Sequence, residues 1–280
     1  GMKHVAGYYD VVVVGSGPGG AVSGKRCAEA GLRTLMLEKR SLPREKVCTG
    51  MIMAPWCQEF VTEEFGQVPE SVLTSPYRLG GHWIHIPGAD PAVLPSTTPI
   101  AWRRDLDAWM VRGALRAGAE VRDRTRVLHV EQEAGQCRVR IRQGRRSASM
   151  RTGCVIGADG AASVVRKAIC PGLEVPYSAP VRWFYEATLD IERAAIHWFF
   201  PKSRPRPRFD LVHKGGGVLL EGSGLRSLSA EIPRILAPYG FREEMRPAWR
   251  DGCLVAGLHR TLLDGSFLPA RGRVLLVGDA

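Results

Sequence analysis

The sequence predicts an α/β fold: one domain on a parallel sheet, and a second, smaller domain on an antiparallel sheet. Three observations predict it. Near the start, a β-branched run passes directly into a glycine turn and an alanine-rich helix. Midway, alternating apolar and polar runs read as strands joined by short turns. Residues 181–250 then change character and interleave Trp, Phe and Tyr with charges. The 280 residues are enough for two modest domains, and 45% hydrophobic with 24% charged residues excludes disordered and collagen-like classes.

In chain order, Tyr9 to Val14 reads as a buried parallel strand. The turn Gly15-Ser16-Gly17-Pro18-Gly19-Gly20 follows, then a helix from Ala21 to Ala30 that stops at Gly31. Leu32 to Leu37 is the second strand, closed by Glu38, which completes one βαβ unit. Prolines 43, 55, 69, 76, 87, 91, 95 and 99 punctuate the next sixty residues, where only Tyr77 to Ile86 reads as a strand. Asp105 to Ala117 is a helix with Leu106, Trp109, Met110 and Leu115 as its apolar stripe, ended by Gly118. Strands are expected over Arg126 to Glu131, Cys137 to Ile141 and Ala148 to Thr152, the last two joined through Gly144 as a hairpin. A short strand, Cys154 to Ile156, leads into Gly157-Ala158-Asp159-Gly160. Arg273 to Val277 is a final buried strand before Gly278-Asp279-Ala280. The expected division is residues 1–76, 100–178 and 270–280 against 77–99 and 179–269.

No run approaches the roughly 18 apolar residues of a membrane-spanning helix. The run Val11 to Val14 is too short for a signal peptide, and Gly1 before Met2 reads as a tag-cleavage scar. Seven cysteines, an odd number without C-x-x-C spacing, argue against a disulfide framework and a zinc site, so no metal is expected. A cytoplasmic setting follows. The net charge of +11 suits nucleic acid, an anionic membrane or an acidic substrate, but a generally basic surface is the plain reading. Arg138, Arg140 and Arg142 alternate with Val139 and Ile141, either a polyanion-binding ribbon or the solvated face of a small sheet. The second fits better, and with no aromatic–basic motif no nucleic-acid partner is expected. Cys48 reads as a small buried apolar residue rather than a redox thiol, and Lys46 either as a charge-neutralising site residue or as an ordinary surface charge. His82, His85 and His197 lack ligand spacing and read as hydrogen-bonded structural residues.

The strongest motif is Gly15-x-Gly17-x-x-Gly20 between a strand and a helix. Gly15 permits the tight turn, Gly17 lets the backbone approach a pyrophosphate, and Gly20 allows close helix–strand packing. Helix-terminal N–H groups and the dipole favour phosphate. Glu38, 23 residues after Gly15, is placed to accept hydrogen bonds from ribose hydroxyls. This makes the first domain Rossmann-like and dinucleotide-binding. Arg103 before the Asp105 helix, the Asp159-Gly160 turn with Ser163 and Arg166 after it, and Asp279 point to FAD rather than NAD.

These motifs together, with Lys39 and Arg40 after Glu38, resemble the flavoprotein group of geranylgeranyl reductases and aromatic hydroxylases, whose shared fold is that of p-hydroxybenzoate hydroxylase. Within it, Pro43-Arg44-Glu45-Lys46-Val47-Cys48-Thr49-Gly50 is similar to the reductase branch. So is Ile196-His197-Trp198-Phe199-Phe200-Pro201: its Trp198, Phe200 and Pro201 match an aromatic Y-x-W-x-F-P motif, and Ile196 stands where that motif has tyrosine. The resemblance implies a Rossmann-like FAD-binding domain with an antiparallel-sheet substrate domain. FAD would be held by Gly15, Gly17, Pro18, Gly19, Gly20, Glu38, Lys39, Arg40, Lys46, Cys48, Arg103, Asp159, Gly160 and Asp279, with Trp198 and Phe200 lining a substrate pocket. It implies hydride transfer from reduced flavin to a carbon–carbon double bond of a hydrophobic, isoprenoid-type substrate. The electron donor would be a transient nicotinamide or ferredoxin-like partner, with peripheral membrane contact admitted. No catalytic proton donor is named by the sequence. The alternatives are a flavin monooxygenase of the same fold, for which a halogenase's tryptophan-rich motif is absent, and a non-catalytic flavin-binding remnant. Related flavoproteins continue past Gly-Asp-Ala with a glycine/proline loop and a helix, so the C-terminal part of the FAD domain is expected to be missing here.

Overall fold

The computed structural model describes residues 3–4, 8–201 and 208–280. Gly1 and Met2, and 202–207 of the Pro/Arg-rich stretch, lie outside the described residues. The chain forms two compact units, residues 1–44, 107–177 and 255–280 in one, 45–106 and 178–254 in the other.

The first unit is built on the parallel strands Glu120–Arg122, Thr34–Leu37, Tyr9–Val14, Arg146–Gly157 and Val274–Leu276, neighbours in that order. Val11 to Val14 are buried on both faces, as a helix-covered parallel strand requires. The helix Pro18–Glu29 makes the crossover from the first strand to the second. The strand Arg146–Gly157 is longer than the two short strands expected there. Its first half pairs antiparallel with Gln136–Gln143, its second half parallel with Tyr9–Val14. Gly153 does not break it, because a side chain there would meet the Asp10 carbonyl at 2.8 Å, and glycine is what lets the strand pass. On Gln136–Gln143 the arginines face solvent while Cys137, Val139 and Ile141 are buried, the solvated-face arrangement. Leu258 and Phe267 join the core of this unit, which draws 255–269 into it rather than into the second unit.

The second unit is a seven-stranded sheet in the order Trp249–Gly252, Val181–Tyr185, Gly217–Gly222, Phe209–Lys214, Ala195–Phe199, Arg78–His85, Ala92–Pro99. Every pairing is antiparallel except that between Ala195–Phe199 and Arg78–His85. One face packs Phe184, Ile196, Val212 and Leu219, the other Tyr185, Phe209, Leu211 and Leu220. Residues 45–76 and 100–106 fall here, not with the first unit as the sequence suggested. The cause is local pairing: the Ile52 amide donates to the Pro99 carbonyl at 3.0 Å, and Ala101 to Gly50 at 3.0 Å. A helix not expected in the proline-rich region, Pro55–Phe65, starts with proline in its first turn and ends at Gly66, φ 85°.

Candidate functional site

In the first unit, three turns meet at the carboxyl ends of the parallel strands, where open α/β sheets bind ligands. Gly15 has φ 104°, and a β-carbon there would sit 2.3 Å from the Ala158 carbonyl oxygen. One on Gly20 would sit 2.1 Å from the Gly15 carbonyl, and one on Gly19 would touch the Val277 side chain at 3.3 Å. The glycine turn is thus packed against the backbone of the 158–160 turn and against the Val277 side chain. Gly17 stands at the N-cap of Pro18–Glu29 and offers no side chain to it. The first amides of that helix have no intrahelical acceptor and lie open to an anion.

Glu38 is buried, and its carboxylate is held from several sides. Oε2 accepts from the Ser16 hydroxyl at 2.6 Å, the Ser16 amide at 3.3 Å and Arg44 Nε at 3.0 Å, while Oε1 accepts the Arg40 amide at 2.9 Å. Arg44 also pairs with buried Asp107 at 3.0 Å. Burial pushes the Glu38 carboxyl up, but the Ser16 hydrogen bond and the Arg44 charge outweigh it and hold the group below its ordinary value. It is therefore ionised at neutral pH, with a lone pair left on Oε1. Lys39 and Arg40 are exposed beside it, and Pro18 occupies the helix start.

Asp159 does something the sequence did not suggest. Its carboxylate accepts from the Ser163 hydroxyl at 2.6 Å and the Val164 amide at 2.7 Å, at the start of the helix Val164–Ile169. Arg166, 2% exposed, donates to the carbonyls of Asp279, at 3.0 Å, and Ala161, and so ties the 159–161 turn to the chain's Gly-Asp-Ala turn. The Asp279 side chain is exposed. Arg44 and Arg166 are the organising side chains that sequence reasoning underweighted. The available signal was each one's place a few residues after an acidic group at a strand end.

Lys46, Cys48 and Arg103 belong to the second unit. Cys48 is half-buried and its Sγ accepts the Gly50 amide at 3.4 Å. The Cys48–Gly50 turn is held by charged groups of the sheet. Arg182 Nη1 donates to the Cys48 carbonyl at 2.9 Å, the Thr49 hydroxyl donates to Glu221 at 2.9 Å, and Lys214 Nζ donates to the carbonyls of Thr49 and, at 2.9 Å, Ala101. Burial pulls the Lys214 ammonium down to about 7. Trp198 donates from Nε1 to His82 at 3.1 Å, and the Phe200 amide donates to the His85 carbonyl at 3.0 Å. His85 and His197 contact each other at 3.0 Å, and His197 Nε2 lies 2.8 Å from the Glu192 carbonyl, so all three histidines have structural partners. A cavity of about 350 Å³ in this unit is lined by Trp183, Tyr185, Phe241, Met245 and Arg250 among others, not by Trp198 or Phe200. No cluster of metal-ligating side chains occurs among the described residues.

Residues 10–74 and 92–195 each match a family model described as a FAD binding domain. The chain is 29% identical to a digeranylgeranylglycerophospholipid reductase of Methanopyrus kandleri over 80% of its length, and 31% identical to a geranylgeranyl diphosphate reductase of Rhodobacter capsulatus over 60%. It spans 56% and 41% of those two relatives. Among solved structures, a geranylgeranyl bacteriochlorophyll reductase-like protein from Thermoplasma acidophilum superposes with TM-score 0.79 at 21% identity, covering all of this chain and 72% of that one. A p-nitrophenol 4-monooxygenase from Pseudomonas putida gives TM-score 0.74 at 18% identity, over 99% and 73% of the two chains.

The fold, the glycine cradle and these matches define a FAD-binding flavoprotein. The backbone cradle fits the group: it leaves uncapped helix amides for a diphosphate and an ionised carboxylate 22 residues beyond Ser16 for a ribose. More particularly, the chain is similar to reductases of the geranylgeranyl reductase-like group.

Proposed function

We propose that this chain carries the FAD- and substrate-binding parts of a reductase acting on carbon–carbon double bonds of a hydrophobic, isoprenoid-type substrate. The observation that carries this reading is the likeness to a digeranylgeranylglycerophospholipid reductase over 80% of the chain, a span too long to lie within one unit. FAD, when bound, supplies the hydride chemistry. The chain's own residues bind and orient. Amides at the start of Pro18–Glu29, with Gly15, Gly17, Gly19 and Gly20 as the cradle, hold the diphosphate, and Glu38 holds a ribose hydroxyl while Arg44 and Ser16 fix its carboxylate. Arg166 keeps the Gly160 and Asp279 turns in place for the rest of the cofactor. In the second unit, the sheet face bearing Phe184, Trp198, Val212 and Trp249 supplies apolar wall and excludes water, with Phe200 extending it. Lys46, Cys48 and Arg103 contribute from the same unit. Electrons come from a visiting nicotinamide or ferredoxin-like donor, since the sequence has a single dinucleotide fingerprint. The free cysteines and the positive charge support a cytoplasmic setting with peripheral contact to an anionic membrane.

The test is anaerobic. FAD-loaded protein is reduced with dithionite and mixed with geranylgeranyl diphosphate or a geranylgeranyl-chain lipid. Reoxidation of flavin with a product two hydrogens heavier per double bond supports the reading. Reduced flavin that ignores both alkenes but consumes oxygen and yields hydroxylated product replaces it with a monooxygenase.

A further inference from the structure

Along the strand Val181–Tyr185, side chains alternate between the two faces of the second unit's sheet. Phe184 lies on the face that carries Trp249, and the two rings stack. Trp183 and Tyr185 lie on the other face, where they floor the cavity of about 350 Å³. Every residue lining it belongs to the second unit. Phe241 closes one side, edge-on to Tyr185 with 5.2 Å between ring centres.

The rim of this cavity is cationic. Arg226, Arg246 and Arg250 line it, against one carboxylate, Glu243. Arg250 stands opposite Trp183 in the strand register, with its guanidinium 5.0 Å from the centre of that ring. Arg246 Nη1 donates to the carbonyls of Glu243 and Met245, at 2.9 and 3.1 Å, which leaves the other nitrogens of its guanidinium to donate elsewhere. Among the described residues no carboxylate pairs with any of the three. Tyr185 is 5% exposed, and its hydroxyl has no hydrogen-bond partner among the described residues. Burial raises that phenol, so it stays a neutral donor, and the charges of Arg250 and Arg246 both bear on it. The cavity thus gathers donors without acceptors. A phosphoryl group supplies acceptor oxygens in the forked geometry that arginine matches.

A second cleft, of about 450 Å³, continues the first, and Arg226 lines both. Val181 and Gly252 line the second cleft and pair with each other, as Trp183 and Arg250 do two residues along the same strands. That is a step of about 7 Å. Ala179, Pro180 and half-exposed Leu254 give this cleft apolar walls. A chain attached to the phosphoryl group has an apolar surface to lie along, at the cationic cavity's edge.

We propose that this face of the second unit binds a phosphate ester carrying an apolar chain. The phosphoryl oxygens accept from Arg226, Arg246, Arg250 and the Tyr185 hydroxyl, and the chain lies along Val181 and Leu254. The face is the reverse of the one bearing Phe184 and Trp249, to which the reducible substrate is assigned above. It is therefore a further ligand site, and nothing in it requires the ligand to hold a double bond.

Octyl phosphate, which is saturated, is the probe, titrated into the purified protein by calorimetry. Saturable binding of one molecule per chain is expected. It is expected to weaken about tenfold or more in Arg250→Ala and again on adding Arg226→Ala, the scale of a lost charge-assisted hydrogen bond. Tyr185→Phe is expected to weaken it less. The arginines are exposed, so the variants are expected to keep the wild-type melting temperature, and Arg140→Ser, an exposed arginine of the first unit, the wild-type affinity. Inorganic phosphate and octanol each offer one half of the ligand and are expected to bind about tenfold or more weakly than octyl phosphate. Vesicles of phosphatidylcholine with and without phosphatidic acid separate the sources. Retention on the acidic vesicles that Arg226→Ala with Arg250→Ala abolishes makes the ligand a bilayer headgroup, and binding of octyl phosphate alone makes it a free molecule. Octyl phosphate that does not saturate, an affinity unchanged in the double variant, or an equal loss in Arg140→Ser overturns the site. Inorganic phosphate binding as tightly as octyl phosphate overturns the place given to the chain. None of these readings uses flavin reduction or an alkene, so they stand or fall apart from the reductase reading.

Discussion

The glycine-turn region of the first unit and the charged row of the second, where Asp251, Arg182, Glu221 and Asp210 stand opposite one another across the strands, bury ionisable groups to a similar degree and treat them oppositely. Around Glu38, Ser16 and Arg44 converge on one carboxylate and hold it ionised against the cost of burial. In the second unit, burial wins: Lys214 is pulled down to about 7 and Asp210 is pushed up. The difference teaches that burial alone does not set a site's chemistry. A cation and two donors aimed at a carboxylate make a fixed negative charge suited to grip a hydroxyl. A buried carboxyl facing another carboxyl is pushed the other way, toward its neutral form.

The comparison is broken most severely where the first region is backbone. Gly15→Val places a β-carbon and two methyl groups against the Ala158 carbonyl at a φ of 104°. The expected loss is about 4 kcal/mol or more of unfolding free energy, from strain plus overlap. Denaturant titration checks it, and a loss below about 1 kcal/mol would show that the turn yields where the second unit's row is expected to be the softer element.

Next in size is Arg44→Ala. It leaves Glu38 and Asp107, with side chains 5% and 1% exposed, without their shared guanidinium. Removing one partner of buried ion pairs costs about 3 kcal/mol. Glu38's value is depressed in the folded protein, so its contribution is present above the unfolded value of about 4.3 and fades as pH falls through the lower folded one. The gap between wild type and variant is therefore expected to shrink in acid. A gap independent of pH would remove Glu38 from the account and leave packing alone.

Lys214→Met sharpens the opposite half of the comparison. The unfolded chain binds a proton at Lys214 up to about pH 10.4, whereas the folded chain releases it near 7. Wild-type stability relative to the variant is expected to rise with pH between those limits, by at most about 1.4 kcal/mol per unit. Paired melts across that range supply the curve. A difference that stays flat, or falls, means the ammonium is as comfortable buried as in water.

The first region was legible in the sequence and the second was not, for a physical reason. A strand, a glycine turn, a helix and Glu38 are consecutive, so local sterics and the helix terminus define the cradle before any tertiary contact forms. The row Asp251-Arg182-Glu221-Asp210-Trp198 exists only through four strand registers. Each charge looks, in its own strand, like an ordinary solvent-facing residue. The helix Pro55–Phe65 was hidden because its proline reads as a breaker unless its place in the first turn is known. The domain bounds went astray at 45–76 because those residues find their partners, such as Pro99 and Ala101, some fifty positions later.

The smallest effect is expected from the arginine ribbon, which tests whether exposed charge behaves like either buried region. Arg138, Arg140 and Arg142 all face solvent, and among the described residues Arg138 has an acidic partner close by, Glu133 on the neighbouring strand. Exposed pairs of this kind contribute about 0–1 kcal/mol, and the three arginines lie on the strand face opposite buried Cys137, Val139 and Ile141. Replacing all three by serine is expected to change unfolding free energy by about 0.5 kcal/mol and to leave FAD affinity where it was. It is also expected to leave retention of the protein by duplex or single-stranded DNA unaltered at any salt concentration. If instead the variant lost a salt-dependent affinity for DNA present in the wild type, with a slope matching about three phosphate contacts, the ribbon would be a polyanion site, and the plain reading of the +11 charge as a general surface property would fail.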